Sequence, residues 1–301
     1  LINIETDEVA RINRRLSAVG ARSIEAWVGV TASSRKETLA NIECALEAGA
    51  DALVIAPLSI SNLPDVVAFF QRDVSDLFDR RGSTAPVFLY DNADIAVNPR
   101  VPHIHTRDVK RLSRLPFVCG IKVSASRRVL GNYTKGALHF KDKGAFGVYV
   151  GNAMLIFQLF HFDDGPLGLL REYWNRYLLH DELPIGVVSG PANLFPREWQ
   201  RAWRACYAGN EQLIPIYEKS FAEFSHACVF GRGGKLVDKM IACLKYGLKL
   251  DGVIESDLVA EGTPALTATE RTQFASAVLR IRRTLESRTD SLWVSQKDSD
   301  R

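Results

Sequence analysis

The run Phe117-Val-Cys-Gly-Ile-Lys-Val-Ser124 is short, largely apolar and partly β-branched, and it closes on a lysine and a serine. Such a run reads as a strand covered on both faces, the kind found in parallel sheets. Similar runs lie at Trp27 to Ala32, Ala52 to Pro57, Val87 to Asn92, Phe146 to Asn152 and Gly186 to Asn193, with starts roughly 25 to 40 residues apart. Amphipathic segments, among them Arg35 to Glu47, Leu63 to Arg80 and Thr106 to Arg114, fall between most of them. The chain therefore reads as repeated βα units and its strands as parallel. An open doubly wound sheet and a closed barrel both fit this pattern; the steady spacing without a distinct second half favours the barrel.

A (β/α)8 TIM barrel has eight strands, and six are visible. The shortfall is at the front, where Ile4 to Ala18 reads as a helix and the chain opens on Leu1 rather than Met. The expectation is that the first two strands lie upstream of the given chain. After Asn193 the apolar spacing turns helical, over Pro196 to Cys206, Glu211 to His226, Lys235 to Tyr246 and Thr267 to Leu285. This predicts a barrel over residues 1–195, a helical C-terminal extension over 196–286 and a polar, loosely held tail over 287–301.

Composition narrows the function classes. A hydrophobic fraction of 47% with 24% charged residues is ordinary for a globular protein, and no apolar run reaches the roughly 18 residues of a membrane span. The net charge of +3 is scattered, without a basic block, which argues against nucleic acid as a partner. Cysteines at 44, 119, 206, 228 and 243 have neither zinc nor CxxC spacing and read as reduced thiols of a cytoplasmic protein.

In a parallel barrel, chemistry sits at the C-terminal ends of the strands. Lys122 ends an otherwise apolar strand on the same face as Gly120, which would leave room for a substrate. Desolvation there would favour the neutral amine, the form that attacks a carbonyl to give an imine; the alternative is a strand-end lysine that reaches solvent. Tyr90 lies at the corresponding depth of the neighbouring strand, where a phenol can relay protons or simply pack in the core. Elsewhere, Gly231-Arg-Gly-Gly-Lys235 lacks the Ser or Thr of a phosphate loop and reads as a loop opening the helix from Lys235. His103 and His105 lack further ligands at helical spacing, which speaks against a metal site. Asp163-Asp164 before Gly165 reads as a turn.

These residues resemble the dihydrodipicolinate synthase and N-acetylneuraminate lyase family of pyruvate-type class I aldolases. The resemblance is carried by Glu47-Ala-Gly-Ala-Asp-Ala-Leu-Val-Ile-Ala-Pro57, by Leu89-Tyr90, by Gly120-Ile-Lys-Val-Ser124 and by Gly186-Val-Val-Ser-Gly-Pro-Ala-Asn193, in the family's order. It implies that Lys122 forms the imine, that Tyr90 shuttles protons beside it, and that no cofactor is needed. It also implies that the six strands are the third to eighth of the barrel and that the chain forms a homo-oligomer, a dimer or tetramer. Several positions depart from the best-known members. Leu58, Ser59 and Ile60 stand where synthases carry tyrosines, Ile95 stands where they carry an arginine for the second substrate, and Asn152, Ala153 and Met154 follow Gly151 where sialic acid lyases carry acidic residues. The expectation is a lyase, an aldolase or dehydratase, acting on a 2-keto-3-deoxy sugar acid, with Gly151, Asn152, Ser189 and Asn193 lining the substrate pocket. Dihydrodipicolinate synthesis and keto-acid binding without turnover are the rival readings.

Overall fold

The computed structural model of the chain describes residues 2–137, 146–159 and 184–299. The described residues up to Asn152, with 184–188, form one compact unit, and 153–159 with 189–299 form another. The expected turn at Asp163-Asp164 lies outside the described residues.

The first unit is built on one sheet of six strands: β1 (Trp27–Gly29), β2 (Ala52–Ile55), β3 (Val87–Asn92), β4 (Val118–Ser124), β5 (Gly147–Val150) and β6 (Gly186–Val187). They stand in chain order and every neighbouring pair is parallel. A doubly wound sheet reverses its strand order at a switch point; this one does not, so of the two architectures the pattern allowed, the barrel-type winding is present. The last strand is shorter than expected. Pro191 cannot donate to a ladder, and the chain turns into a 3-10 turn over Gly190–Asn193.

Helices connect the strands: α1 (Ile2–Ala18) precedes β1, α2 (Arg35–Glu47) follows it, α5 (Thr106–Leu112) precedes β4 and α6 (Arg127–Ala137) follows it. The helix expected from Leu63 starts later, as α3 (Val66–Ala68), and runs through a π-turn (Phe69–Val74) into α4 (Ser75–Arg81). Pro64 holds the preceding residue out of helical geometry, and Asp65 caps the first turn by accepting from Ala68 N at 2.9 Å. Helix α2 opens on a capping box in which Ser34 Oγ accepts from Glu37 N and donates to the Glu37 carboxylate. The helix-covered face of the sheet, with Val28, Leu53, Leu89, Ile121 and Val148, is buried throughout.

Strand alternation alone does not set the register between β3 and β4. Val87 pairs with Val118, but Phe88 pairs with Gly120, so Cys119 is an extra residue on β4. Beyond it the ladder runs evenly, with Tyr90 opposite Lys122 and Asn92 opposite Ser124.

The second unit is helical apart from one hairpin. It contains α7 (Leu155–Leu159), α8 (Pro196–Tyr207), α9 (Ile214–Ala227), α10 (Met240–Leu250) and α11 (Ala268–Ser299). Aromatic rings fill its core, with Trp199 stacked on Phe221 at 4.1 Å between centroids and Phe224 edge-on to Phe195 and Phe274. The segment expected to open a helix at Lys235 is instead a hairpin of β7 (Val229–Arg232) and β8 (Lys235–Asp238). Gly233 and Gly234 both have positive φ, the conformation that a two-residue hairpin turn needs. The last helix, expected to end near Leu285, continues to Ser299. Among the described residues no helix is long and apolar enough to cross a membrane.

Lys239 ties this unit together. It is 5% exposed, and its Nζ donates to both Glu270 carboxylate oxygens at 2.8 and 2.7 Å and to Ala265 O at 2.8 Å. Burial pushes the Glu270 carboxyl up, but hydrogen bonds from Lys239 and Thr267 outweigh it and hold the group below its ordinary value. A depressed carboxylate adds stability above its unfolded pKa and loses it as the pH falls through the folded value. Lys239→Ala, which strands the carboxylate, is expected to cost on the order of 3 kcal/mol in urea unfolding at neutral pH. Glu270→Gln is expected to flatten the acid limb of the stability profile, and an unchanged limb would show that this pair does not couple to folding.

Candidate functional site

Parallel pairing places Tyr90, Lys122 and Tyr149 side by side in one row across β3, β4 and β5. All three point to the face opposite the helices and are half-buried. The Lys122 Nζ stands 4.2 Å from the centroid of the Tyr90 ring, within the range in which a ring face attracts an ammonium group. One row further on, the Tyr90 hydroxyl accepts from Asn92 Nδ2 at 3.1 Å and is 3.2 Å from Ser124 Oγ. Asn92 and Ser124 follow Tyr90 and Lys122 by two residues each, so strand alternation puts all four on the same face. That period-two relation was available in the sequence, where neither Asn92 nor Ser124 was singled out.

The row below is aromatic. Phe88 stacks on Trp27 at 4.0 Å, and the Tyr149 ring meets both edge-on at 5.6 and 5.7 Å. This corrects the expectation that Gly120 leaves room for a substrate. A Cβ at Gly120 would stand 2.9 Å from Phe88 Cδ1 and 2.6 Å from Gly147 O, so the space above the glycine is taken by the phenylalanine ring. Gly186 lies against the Tyr149 ring in the same way. Burial pushes the Tyr149 phenol above its ordinary value, with Glu25 and Cys119 adding to the shift. Any substrate at Lys122 would therefore rest on a floor of rings and reach outward, past the strand ends.

The residues expected to line the pocket are placed variously. Gly151 directly follows β5, beside Ser124: a Cβ there would stand 2.2 Å from Ser124 Oγ, so the missing side chain makes room for that hydroxyl. Asn152 is exposed at the same end of the sheet. Ser189 and Asn193 belong to the second unit. The Ser189 hydroxyl is enclosed without a hydrogen-bond partner among the described residues, and Asn193 turns its amide back onto Gly190 O at 2.8 Å. Ile95, in the 3-10 turn after β3, is exposed.

On the helix-covered face, Asp91 is fully buried and accepts from Ile104 N at 2.8 Å, with His103 Nδ1 2.8 Å from its other oxygen. Burial raises the Asp91 carboxyl, and the Ile104 amide and His103 oppose the shift without cancelling it. His103 thus holds the loop after β3 against the strand. A cavity of about 790 Å³ lies along this loop, lined by His103, His105, Pro57 and Leu63 among others; neither Lys122 nor Tyr90 borders it, so it is separate from the polar row. Among the described residues no group of three or more His, Cys, Asp or Glu side chains could hold a metal ion.

No family model and no curated protein matches the chain. Solved structures do match. A dihydrodipicolinate synthase from Bacteroides thetaiotaomicron superimposes with a TM-score of 0.67 at 19% identity, over 93% of this chain and 82% of that one. A sialic acid aldolase from Ruminococcus gnavus gives 0.67 at 14% identity, over 88% and 76%. A dihydrodipicolinate synthase from Aquifex aeolicus gives 0.64 at 14%, over 94% and 82%. At these identities the likeness is one of fold, and it agrees with the barrel-type winding and the helical C-terminal part.

The contact at Gly151 can be checked directly. Gly151→Ala would press a methyl group onto Ser124 Oγ and, at 3.0 Å, onto Ser124 N and Val123 O, and is expected to destabilise the fold by about 1–3 kcal/mol, as overpacking does. Adding Ser124→Ala should recover part of that loss, because the backbone contacts remain. A double-mutant cycle by chemical unfolding reads the coupling, and strict additivity would contradict this packing.

Proposed function

We propose that the chain is a Schiff-base-forming lyase that acts on a 2-keto acid, with Lys122 as the imine-forming amine and Tyr90 as the group that moves protons beside it. The observation that carries this reading is the pairing of the two residues, with the Lys122 Nζ 4.2 Å from the Tyr90 ring centroid on the open face of a barrel-type sheet. The solved structures that share the fold carry names of such enzymes, synthases and an aldolase, which supports the reaction class. In this reading the six strands take the third to eighth places of an eight-stranded barrel, and β1 and β6 are the strands that two more would join. The working form is proposed to be a homo-oligomer.

The chemistry follows from an amine beside a proton carrier. The unprotonated Nζ attacks the C2 carbonyl and the oxygen takes up a proton; water then leaves and a protonated imine remains. That imine withdraws electrons. When the C3–C4 bond breaks, its pair moves into the C2–N system to give an enamine, and the C4 hydroxyl, losing its proton, becomes the aldehyde. Protonation of C3 and hydrolysis release the shorter keto acid. Loss of a hydroxyl from the carbon chain would use the same electron sink.

For the substrate we propose a 2-keto-3-deoxy sugar acid. The floor beneath Lys122 is aromatic, while the strand ends beyond it carry Asn92, Ser124 and the exposed Asn152, amides and a hydroxyl suited to a polyol. Ile95 offers no charge to the carboxylate of a second acid, which disfavours dihydrodipicolinate synthesis.

Borohydride reduction with pyruvate, followed by intact mass and peptide mapping, tests the reading. One adduct on Lys122, absent from Lys122→Ala, is expected. Tyr90→Phe should keep the adduct and lose on the order of 10²- to 10⁴-fold in turnover, the usual worth of acid–base assistance. A folded protein that gives no adduct at saturating pyruvate would leave a keto-acid-binding protein, or none, in place of the enzyme. Condensation of pyruvate with aspartate semialdehyde would reassign the substrate.

A further inference from the structure

The Tyr90 hydroxyl is the middle of three polar side chains. Asn92 Nδ2 lies 3.1 Å from its oxygen and Ser124 Oγ 3.2 Å from it. A side-chain amide nitrogen can only donate, so Asn92 occupies one lone pair of the phenol oxygen. The contact with Ser124 joins two hydroxyls, and either can donate. When Ser124 donates, both lone pairs of the phenol oxygen are filled and its single hydrogen has no partner within the trio. That hydrogen is then left for a molecule bound on the open face at Lys122, whose Nζ stands over the same ring. The backbone is shaped to allow this: Ser124 Oγ occupies the place that a Cβ at Gly151 would need, 2.2 Å away.

We infer that Ser124 is the proton partner of Tyr90, and that Asn92 is a positioning residue that fixes the phenol oxygen so that its hydrogen faces the substrate. The inference rests on Lys122 and Tyr90 being the imine-forming pair. As the Nζ–C2 bond forms, the carbonyl π pair moves to oxygen, Tyr90 gives that oxygen its proton, and Ser124 gives its own to the phenol oxygen. The proton shed by the attacking nitrogen passes to water, from which Ser124 is refilled, so the step is balanced without another reagent. In the hydrolysis of the imine each transfer runs in reverse.

The test separates the rate of imine formation from its extent. Rapid-quench borohydride trapping with pyruvate gives both for the wild-type chain and for Ser124→Ala, Ser124→Thr and Asn92→Leu, with thermal unfolding as a check on folding. Ser124→Ala and Asn92→Leu are expected to slow the appearance of the Lys122 adduct about ten-fold or more, within the range of acid–base effects. The final yield and the pyruvate concentration for half-saturation should stay the same, and Ser124→Thr should restore the rate. A merely structural role would lower yield and affinity together, and a hydroxyl would not rescue it. Wild-type rates in Ser124→Ala would overturn the inference while leaving Lys122 as the imine-former. No adduct in the wild-type chain would overturn both.

Discussion

Everything in the polar row depends on the register between β3 and β4, and that register depends on one extra residue. Were Val87 and Val118 followed by an even ladder, Tyr90 would face Ile121 and Lys122 would face Asp91. Pairing residues share a face, and a slip of one residue exchanges the faces. Lys122 would then lie on the helix-covered side beside a buried carboxylate, and the open face would carry Ile121. Because β4 spends both Cys119 and Gly120 where β3 spends Phe88, the lysine comes to lie over the tyrosine. Bulges that re-aim a side chain near a working site are a recurrent device.

The aromatic layer below is the second constraint. Trp27, Phe88 and Tyr149 need space on the face that carries Lys122, and Gly120, Gly147 and Gly186 supply it by having no side chain. The rings close the region below the lysine and leave it reachable from the strand ends. Packing and chemistry are therefore tied together: a methyl group at Gly120 would move the Phe88 ring or the Gly147 carbonyl before it touched a ligand.

Much of the fold was legible because it rests on local periodicity. Val87 to Asn92 and Val118 to Ser124 are apolar runs of strand length, and the helix at Arg35 to Glu47 has its capping box written out in Ser34 and Glu37. The pairing of Tyr90 with Lys122 also agrees with their equal depth in adjacent runs. What could not be read is what depends on contacts across the chain. The extra residue at Cys119 leaves no mark in β4 itself, since Val118, Gly120 and Lys122 share a parity that would put them on one face. The ring over Gly120 comes from another strand. The buried partner of His103 is Asp91, twelve residues earlier and across a loop. The hairpin is a different case: two adjacent glycines between Val229-Phe230 and Leu236-Val237 are a hairpin signal, and the same glycine-rich run also fits a loop that opens a helix.

Four side chains from two neighbouring rows thus stand together on β3 and β4: an amine, a phenol beneath it, and an amide and a hydroxyl on the phenol oxygen. Whether the β3–β4 register builds an imine-forming pair is tested by a crystal structure of the chain soaked with pyruvate and reduced in place. Unbroken density is expected from Lys122 Nζ to C2 of the ligand, with the Tyr90 hydroxyl in hydrogen-bond reach of the oxygen or nitrogen at that carbon. Pyruvate bound elsewhere without a covalent link, or a Lys122 turned away from the Tyr90 ring, would contradict it.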